Sequence, residues 1–466
     1  CRGRVLSDPE DGSPRYLVGC INEIGAKQKA DNVSGLLGEY SLKIFYESRS
    51  PKLPQGFLLR IGIDDFKNIN ESHGNEYGDY ILRRTAQCIE ENIGPEQSLF
   101  HIVADEFAVV DFSGGSVQQA EDLFHEIKKS IYAFIEQNQY KAVYTVSGGI
   151  VKNGDVDNSF ENAMKLSEFA LSEAKERGKN SCYVFEEEEY EDYLKSRTLL
   201  RQLHHAVNNG FEGFEAYFQP LVNAANGELT GAETLLRFHS PEGGMVSPGE
   251  FIPILEESGL IIPVGRWVLR QALDACREWQ KILPEFKVNV NLSYVQVLKS
   301  RVLTDVRRIV DEFGVKPSSV CIELTESGYL EENERFDKVW NGLKEYGVLL
   351  ALDDFGTGYS NLRCLSDLKP AYIKIDRSFT LKALNNQYEH DLMTQIITMT
   401  HKLDLTICVE GIETEDEFAK ISELDPDYIQ GFLFGKPQPA EEFYENLIKP
   451  AIAACGTHEV SAQSVS

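Results

Sequence analysis

The stretch from Val348 to Tyr359 reads VLLALDDFGTGY, and its pattern decides the fold of the larger part of the chain. Five consecutive apolar residues bounded by turn residues are typical of a short strand that is buried on both faces. Asp353 and Asp354 follow at its carboxyl end, and neighbouring strand residues point to opposite faces unless the chain is leaving the sheet. Two carboxylates in this position can bind two metal ions at once. The alternative is that the acids cap the next helix, the commoner role when the pair is taken alone.

Other apolar runs of the same length end in polar residues in the same way. Between them lie segments with apolar residues at helical spacing, such as 336–346 and 392–403. Strand, polar residue and helix in regular alternation predict a TIM-like (β/α)8 barrel, in which the strand ends gather at one mouth. The polar residues at these strand ends are Asn291, Glu323, Glu326, Lys374, Glu410 and Gln430.

Composition limits the kinds of function that the chain can have. Its 466 residues are enough for two domains, and 42% hydrophobic residues describe an ordinary globular protein. A formal net charge of −28 argues against binding to DNA or RNA polymers. It does not exclude a small phosphate ligand, because bound divalent cations reverse the sign of an acidic pocket.

The cysteines predict a cytoplasmic protein, and the start of the chain predicts that it is part of a longer protein. The nine cysteines include no CxxC pair, which is typical of reduced thiols. No apolar run is long enough to span a bilayer. Because the chain starts at Cys1 without a methionine, we expect a longer protein whose upstream part can carry a membrane anchor or a sensor.

The chain is predicted to contain an α+β domain followed by the α/β barrel. Residues 1–33 are an N-terminal remnant or connector that resembles the tail of a PAS domain, and an incidental extension is the alternative. Residues 34–186 predict an α+β domain with a mainly antiparallel central sheet. A connector helix over 187–209, the barrel over 196–455 and a tail over 456–466 complete the chain.

The α+β domain resembles the GGDEF (diguanylate cyclase) family over its whole length, with three departures. Val103-Ala104 replaces the signature glycine pair, where the backbone must approach a triphosphate closely. Gly62 stands where the family carries its first metal-binding aspartate. The RxxD feedback motif would fall on Gly94 and Gln97 and is absent.

The resemblance therefore implies no cyclase activity and a regulatory role. It places candidate GTP-binding residues at Asn70 and Asp79, and a silent relay or dimerisation domain is the alternative. The matching residues are Phe66-Lys67, Asn70, Gly78-Asp79, Asp105-Glu106-Phe107, Ser147-Gly148-Gly149, Ala174-Lys175 and Gly178-Lys179-Asn180.

The barrel resembles the EAL family of cyclic-di-GMP phosphodiesterases along its whole length. Its signature reads Glu-Thr-Leu at 233–235 rather than Glu-Ala-Leu, which keeps the glutamate and changes a residue expected on the other side of the strand. The matching segments are Phe218-Gln219-Pro220, Glu233 to Arg237, Phe251-Ile252-Pro253, Asn291-Leu292-Ser293, Glu323 to Glu326, Asp353 to Gly358, Lys374-Ile375-Asp376, Glu410-Gly411 and Gln430-Gly431-Phe432.

The resemblance implies a two-metal site and gives each residue a role. Two metals can activate water and neutralise phosphate charge, and oxygen ligands suit Mg²⁺ or Mn²⁺ better than zinc. Asp353 would bridge the two metals, Lys374 would orient or help deprotonate the attacking water, and Glu326 would anchor the loop 354–362. The implied metal ligands are Glu233, Asn291, Glu323, Asp353, Asp354 and Glu410. The implied catalytic residues are Lys374, Glu410, Asp354 and Glu326, and the implied substrate contacts are Gln219, Arg237 and Gln430.

The expected function is metal-dependent hydrolysis of cyclic di-GMP to linear pGpG, with the first domain as a regulator. The alternative is a catalytically silent receptor that binds cyclic di-GMP and signals to a partner. A purely structural protein would leave the carboxylates at the strand ends unexplained. We also expect a homodimer, because EAL domains commonly dimerise near the loop that follows Asp353.

Overall fold

The structure is a computed structural model that describes residues 2–7, 14–20, 30–49, 56–138, 143–153, 159–325, 334–356 and 362–451. The chain divides into two compact units, residues 1–194 and residues 195–466.

The first unit has a small sheet at its beginning and a five-stranded sheet at its centre. In the small sheet β1 pairs antiparallel with β2. The larger sheet has the order β4-β5-β3-β6-β7, and all its neighbours are antiparallel except β6 and β7. The predicted α+β class with a mainly antiparallel sheet is confirmed. The strands are β1 (Arg2–Ser7), β2 (Pro14–Cys20), β3 (Phe57–Ile63), β4 (Gln97–Val103), β5 (Glu106–Asp111), β6 (Val146–Lys152) and β7 (Cys182–Val184).

Helices cover both faces of the five-stranded sheet. Every residue of the central strand β3 is buried, and alternate residues enter different cores. Leu59 belongs to one core with Ile81 and Phe124, while Leu58 belongs to the other with Leu42 and Phe169. A strand covered on both faces reads as a continuous apolar run, as this one does. The helices are α1 (Glu39–Arg49), α2 (Phe66–His73), α3 (Asn75–Asn92), α4 (Val117–Gln137) and α5 (Phe160–Glu176).

The second unit is a closed eight-stranded barrel, as predicted. Its sheet has the order β10-β9-β11-β12-β13-β14-β15-β16-β8-β17, and an additional pairing of β8 with β9 closes it. Strands β9 and β11 to β16 run parallel. The strands are β8 (Phe214–Asn223), β9 (Leu229–Ser240), β10 (Gly244–Val246), β11 (Lys287–Asn291), β12 (Val320–Thr325), β13 (Leu349–Phe355), β14 (Tyr372–Ile375), β15 (Thr406–Glu410), β16 (Tyr428–Gln430) and β17 (Gln438–Pro439).

One barrel strand differs from the predicted parallel arrangement. Strand β8 runs antiparallel to both of its barrel neighbours, β9 and β16. Only a short turn separates the end of β8 at Asn223 from the start of β9 at Leu229. A connection that short joins antiparallel strands, because a parallel pair needs a crossover of a dozen residues or more.

Helices surround the barrel and bury the outward side of its strands. Val288 and Val290 of β11 share a core with Leu269 and Leu273 of the neighbouring helix α8, which leaves the asparagines of β11 on the inward side. Helix α6 (Glu187–Asn208) begins in the first unit and ends in the second. The other helices are α7 (Pro248–Ser258), α8 (Ile261–Trp279), α9 (Tyr294–Lys299), α10 (Val302–Phe313), α11 (Glu334–Tyr346), α12 (Leu362–Leu368), α13 (Arg377–Asn385), α14 (Gln387–Lys402), α15 (Glu415–Ser422) and α16 (Ala440–Phe443).

Candidate active site at the barrel mouth

Lys374 lies at the centre of the polar residues that the strand ends bring together. It comes from β14 and is only 2% exposed. Its Nζ lies 2.7 Å from Oε1 of Glu410, 3.0 Å from Oε2 of both Glu233 and Glu323, and 3.3 Å from Oδ1 of Asp353. Four acids from four different strands therefore share one ammonium group.

The carboxylate of Glu233 is held by two amides in addition to the lysine. Asn291 Nδ2 donates to its Oε1 at 2.8 Å, and Gln430 Nε2 donates to its Oε2 at 2.8 Å. Gln430 Nε2 also lies 3.2 Å from the side-chain oxygen of Gln219, which connects β16 to β8. Four of the sequence-predicted residues thus form one hydrogen-bonded group.

Glu323 has a partner that the sequence analysis missed. Asn289 Nδ2 donates to Oε1 of this fully buried glutamate at 2.7 Å. The sequence contained a signal for this partner. Residues two apart on a strand share a face, and Asn289 precedes the predicted ligand Asn291 by two positions.

The backbone of β13 is irregular at the two adjacent aspartates. The register between β13 and β14 shifts between Leu352 and Phe355, and Asp354 has a φ of 58°. Asp353 is buried among the acids, and its Oδ1 accepts the backbone N–H of Asp354 at 2.9 Å. Both aspartates lie within β13, which ends at Phe355.

Arg237 belongs to the same strand as Glu233 but does not pair with it in the structure. Its guanidinium lies over the ring of Tyr217, 5.7 Å from the ring centroid, and donates to the carbonyl of Leu236. Burial lowers the pKa of Arg237, while the charge of Glu233 acts in the opposite direction. The predicted residue Glu326 lies outside the described residues.

Burial dominates the protonation of the mouth. It raises the pKa of Glu410 to about 8 and that of Asp354 to about 6, and it raises the pKa of Asp353, although Lys374 opposes all three shifts. Glu233 is the exception: Lys374 and the amides that donate to it outweigh burial and hold its pKa below the ordinary value. One lysine thus fails to compensate every acid around it, a deficit that a divalent cation can remove.

Three of the acids fit a metal ion. Ligand oxygens of Glu233, Glu323 and Asp353 all lie within 4.8 Å of one another, and among the described residues this is the one group of three or more potential ligands so arranged. Carboxylate and amide oxygens are donors for hard cations, so the donor set at the mouth fits a metal such as Mg²⁺ or Mn²⁺.

The corresponding region of the first unit has Gly62 at the position where the sequence analysis notes a missing aspartate. A side chain at Gly62 would meet Nζ of Lys175 at 2.9 Å, so an ammonium group lies beside the position of the missing aspartate. Asp64 is buried, and its carboxylate accepts hydrogen bonds from Thr145, Ser147 and the backbone of Asn180. No triad of metal ligands forms among the described residues here.

The turn between β4 and β5 keeps a left-handed conformation without its glycines. Ala104 has a φ of 51°, a region that disfavours any residue with a Cβ, and Val103 beside it is 55% exposed. The candidate GTP-binding residues lie close together, because Asn70 Oδ1 occupies the space beside Gly78, the neighbour of Asp79.

Comparison with known proteins agrees with both parts of the chain. The family model for the EAL domain matches residues 200–437, and the model described as the diguanylate cyclase GGDEF domain matches residues 41–181. The bifunctional diguanylate cyclase/cyclic di-GMP phosphodiesterase MucR of Pseudomonas aeruginosa is 29% identical over 83% of this chain and 56% of its own length. The cyclic di-GMP phosphodiesterase PdeR of Escherichia coli is 29% identical over 84% of this chain and 60% of its own length.

A solved structure gives the same result for the barrel. The PaMucR phosphodiesterase in complex with c-di-GMP covers 53% of this chain and 99% of its own, with 34% sequence identity and a TM-score of 0.50. The chain spans about half the length of the first curated relatives that it matches. None of the helices in its described part has the length and apolar character needed to cross a bilayer.

Proposed function

This chain belongs to the EAL domain family, and from that premise we propose that its barrel hydrolyses cyclic di-GMP to linear pGpG. The observation that carries the proposal is the intact cluster at the mouth, where Glu233, Glu323, Asp353 and Glu410 surround Lys374. A purely structural core would not retain four buried acids around one cation, because burying charge costs free energy unless each charge is paired.

The proposed reaction breaks one phosphodiester bond with water. The water oxygen forms a bond to phosphorus, and the bond from phosphorus to the ribose 3′ oxygen breaks, which leaves a 5′ phosphate on the linear product. Two Mg²⁺ or Mn²⁺ ions bound by the mouth acids would supply charge neutralisation and an acidified water. Glu233, Asn291, Glu323 and Asp353 would hold one ion, and Asp354 and Glu410 would complete the second.

The chain's own residues orient the water and the substrate. In this proposal Lys374 orients the attacking water or helps to deprotonate it. Arg237 turns from the ring of Tyr217 to a phosphate, since a guanidinium matches phosphate oxygens. The side-chain oxygen of Gln430 is buried without a partner among the described residues, which suits a donor group of the substrate. Glu326 would order the loop beside the mouth.

We also propose that the first unit regulates the barrel and does not make cyclic di-GMP. The support is chemical, because Gly62 supplies no carboxylate where the family carries its first metal-binding aspartate. Asn70 and Asp79 remain the proposed contacts for a guanine nucleotide.

A homodimer also remains a proposal. The buried free thiols of Cys321 and Cys408 support a location in the reducing cytoplasm.

Product analysis tests the function directly. The chain is incubated with cyclic di-GMP and Mg²⁺ or Mn²⁺, with and without GTP, and the products are separated by chromatography. We expect pGpG, and a change in rate with GTP would make the first unit a nucleotide-responsive regulator. Tight binding of cyclic di-GMP without pGpG would contradict the proposal and favour the silent receptor.

A further inference from the structure

We propose that Asn289 is a positioning residue of the barrel mouth, which acts by holding the carboxylate of Glu323 in its place among the other acids. This inference rests on the proposed function, since it gives that metal-binding site a residue that the predicted ligand set does not contain. The interaction that carries it is the 2.7 Å hydrogen bond from Asn289 Nδ2 to Glu323 Oε1.

The position of Asn289 in the sheet explains how it reaches Glu323. In the register of β11 it lies opposite Glu233 on β9 and opposite Cys321 on β12. Its side chain is on the inward face of the strand, 6% exposed, and it bonds to the residue two positions beyond Cys321. A buried amide costs free energy unless it is hydrogen-bonded, and here the N–H group of Asn289 donates to the carboxylate of Glu323.

Glu323 needs such a partner because its own torsion preferences do not fix its carboxylate. The last torsion of a glutamate side chain is broad and roughly two-fold, so packing of the aliphatic part leaves the two oxygens free to rotate. In the structure the oxygens have different donors, since Lys374 Nζ lies 3.0 Å from Oε2 and Asn289 donates to Oε1. Rotation of the carboxylate would break both interactions, so the two donors together select one orientation.

The contrast with Glu233 shows why Asn289 matters. Glu233 receives hydrogen bonds from two amides, those of Asn291 and Gln430, as well as from Lys374. Glu323 receives one from a single amide. Loss of Asn289 therefore leaves Glu323 with the lysine alone, and the lysine is shared with three other acids.

Metal titration of Asn289→Ala tests the inference with a measurement that does not depend on hydrolysis. Partners that orient metal ligands typically contribute 10- to 100-fold to metal affinity. We expect the Mn²⁺ dissociation constant, measured by isothermal titration calorimetry, to rise about tenfold. We also expect kcat at saturating Mn²⁺ to fall while KM for cyclic di-GMP changes less than twofold, because Asn289 acts through Glu323 and not on the substrate. Asn289→Leu, which keeps a similar side-chain volume and lacks the amide donor, provides the measurement if the alanine variant does not fold.

Gln280→Ala is the matched control. Its amide also donates within the barrel, to the carbonyl of Phe286 at 2.8 Å, but that carbonyl lies outside the mouth. We expect this variant to lose thermal stability without a change in Mn²⁺ affinity. An unchanged Mn²⁺ affinity in a folded Asn289 variant, or no Mn²⁺ binding by the wild-type chain, would overturn the inference. If the wild type binds Mn²⁺ but makes no pGpG, the proposed function fails and the calorimetry still decides the role of Asn289.

Discussion

Lys374 Nζ and Glu233 Oε2 lie 3.0 Å apart although their residues are 141 positions apart in the sequence. Both side chains are almost completely buried, so this pair depends on the closed barrel and not on local structure. The pair joins β14 to β9 across the inside of the mouth. It also sets the charge balance of the site, because three further acids share the same ammonium group.

Removal of the lysine should destabilise the barrel when no metal is bound. Lys374→Met removes the one ammonium group among the described residues that contacts these four acids, and breaking a buried ion pair costs about 3–5 kcal/mol. We expect a loss of about that size in the free energy of unfolding, measured by urea denaturation in EDTA, together with loss of hydrolysis. Mn²⁺ should restore part of the stability. Lys344→Met is the control, because Lys344 is exposed and donates to the backbone carbonyl of Lys369. Equal stability of the two variants would show that the mouth does not depend on this charge.

Removal of single acids should abolish hydrolysis and leave the fold intact. Glu233→Ala and Asp353→Ala each delete one of the three ligands that lie within 4.8 Å of one another. We expect no pGpG above the rate without protein, with an unchanged far-ultraviolet circular dichroism spectrum. Glu312→Ala, on the outer surface of α10, should retain full activity. A wild-type rate in either mouth variant would disprove the site assignment.

Metal binding should stabilise the second unit by mass action. A ligand that binds only the folded state contributes about 2.7 kcal/mol at a hundred times its dissociation constant. We expect the Tm to rise with Mn²⁺ concentration and to return after EDTA is added. Asp353→Asn, which keeps the shape of the side chain and removes its charge, should show a smaller rise. A Tm that does not respond to Mg²⁺ or Mn²⁺ would contradict a resident metal site.

Thr234, which replaces the usual signature alanine, should reduce stability without contributing to activity. It is 1% exposed, and its hydroxyl has no hydrogen-bond partner among the described residues. A buried polar group without a partner costs about 1–3 kcal/mol. We therefore expect Thr234→Val to increase the free energy of unfolding by about 1 kcal/mol and to leave the hydrolysis rate unchanged.

Thr230→Val is the opposite case on the same strand. The Thr230 hydroxyl donates to the carbonyl of Leu221 at 3.0 Å, so the same replacement removes a hydrogen bond and should destabilise the barrel by about 1 kcal/mol. Equal shifts in the two variants, measured by chemical denaturation, would refute the explanation based on the Thr234 hydroxyl.

The first unit should not convert GTP to cyclic di-GMP. The barrel would consume any product, so the assay belongs in the Glu233→Ala background, with GTP and Mg²⁺ and detection of both cyclic di-GMP and pGpG. We expect neither, because Gly62 provides no carboxylate and Val103-Ala104 replaces the signature glycine pair. Either product would show that the departures from the signature are tolerated.

The sequence predicts most of the barrel because each strand is an apolar run that ends in a polar residue. The structure brings Asn291, Glu323 and Lys374 to one mouth, as the pattern of strand ends predicts, and Glu233, which the family resemblance implies, lies with them. The antiparallel direction of β8 was not predicted, because it follows from the short connection between Asn223 and Leu229 and not from the alternation of residues along the strand. The contact between Lys175 and Gly62 was also beyond prediction, since it depends on how α5 packs against β3.

The positive φ of Asp354 determines which substitutions can be interpreted at that position. Asparagine, aspartate and glycine tolerate this backbone region, whereas alanine and β-branched residues resist it. An alanine scan would therefore change the turn and the charge together at position 354, and the two effects would not be separable. Asp354→Asn removes the charge and keeps a residue that accepts the turn, so amide replacement, not truncation, is the informative form of mutagenesis for this loop.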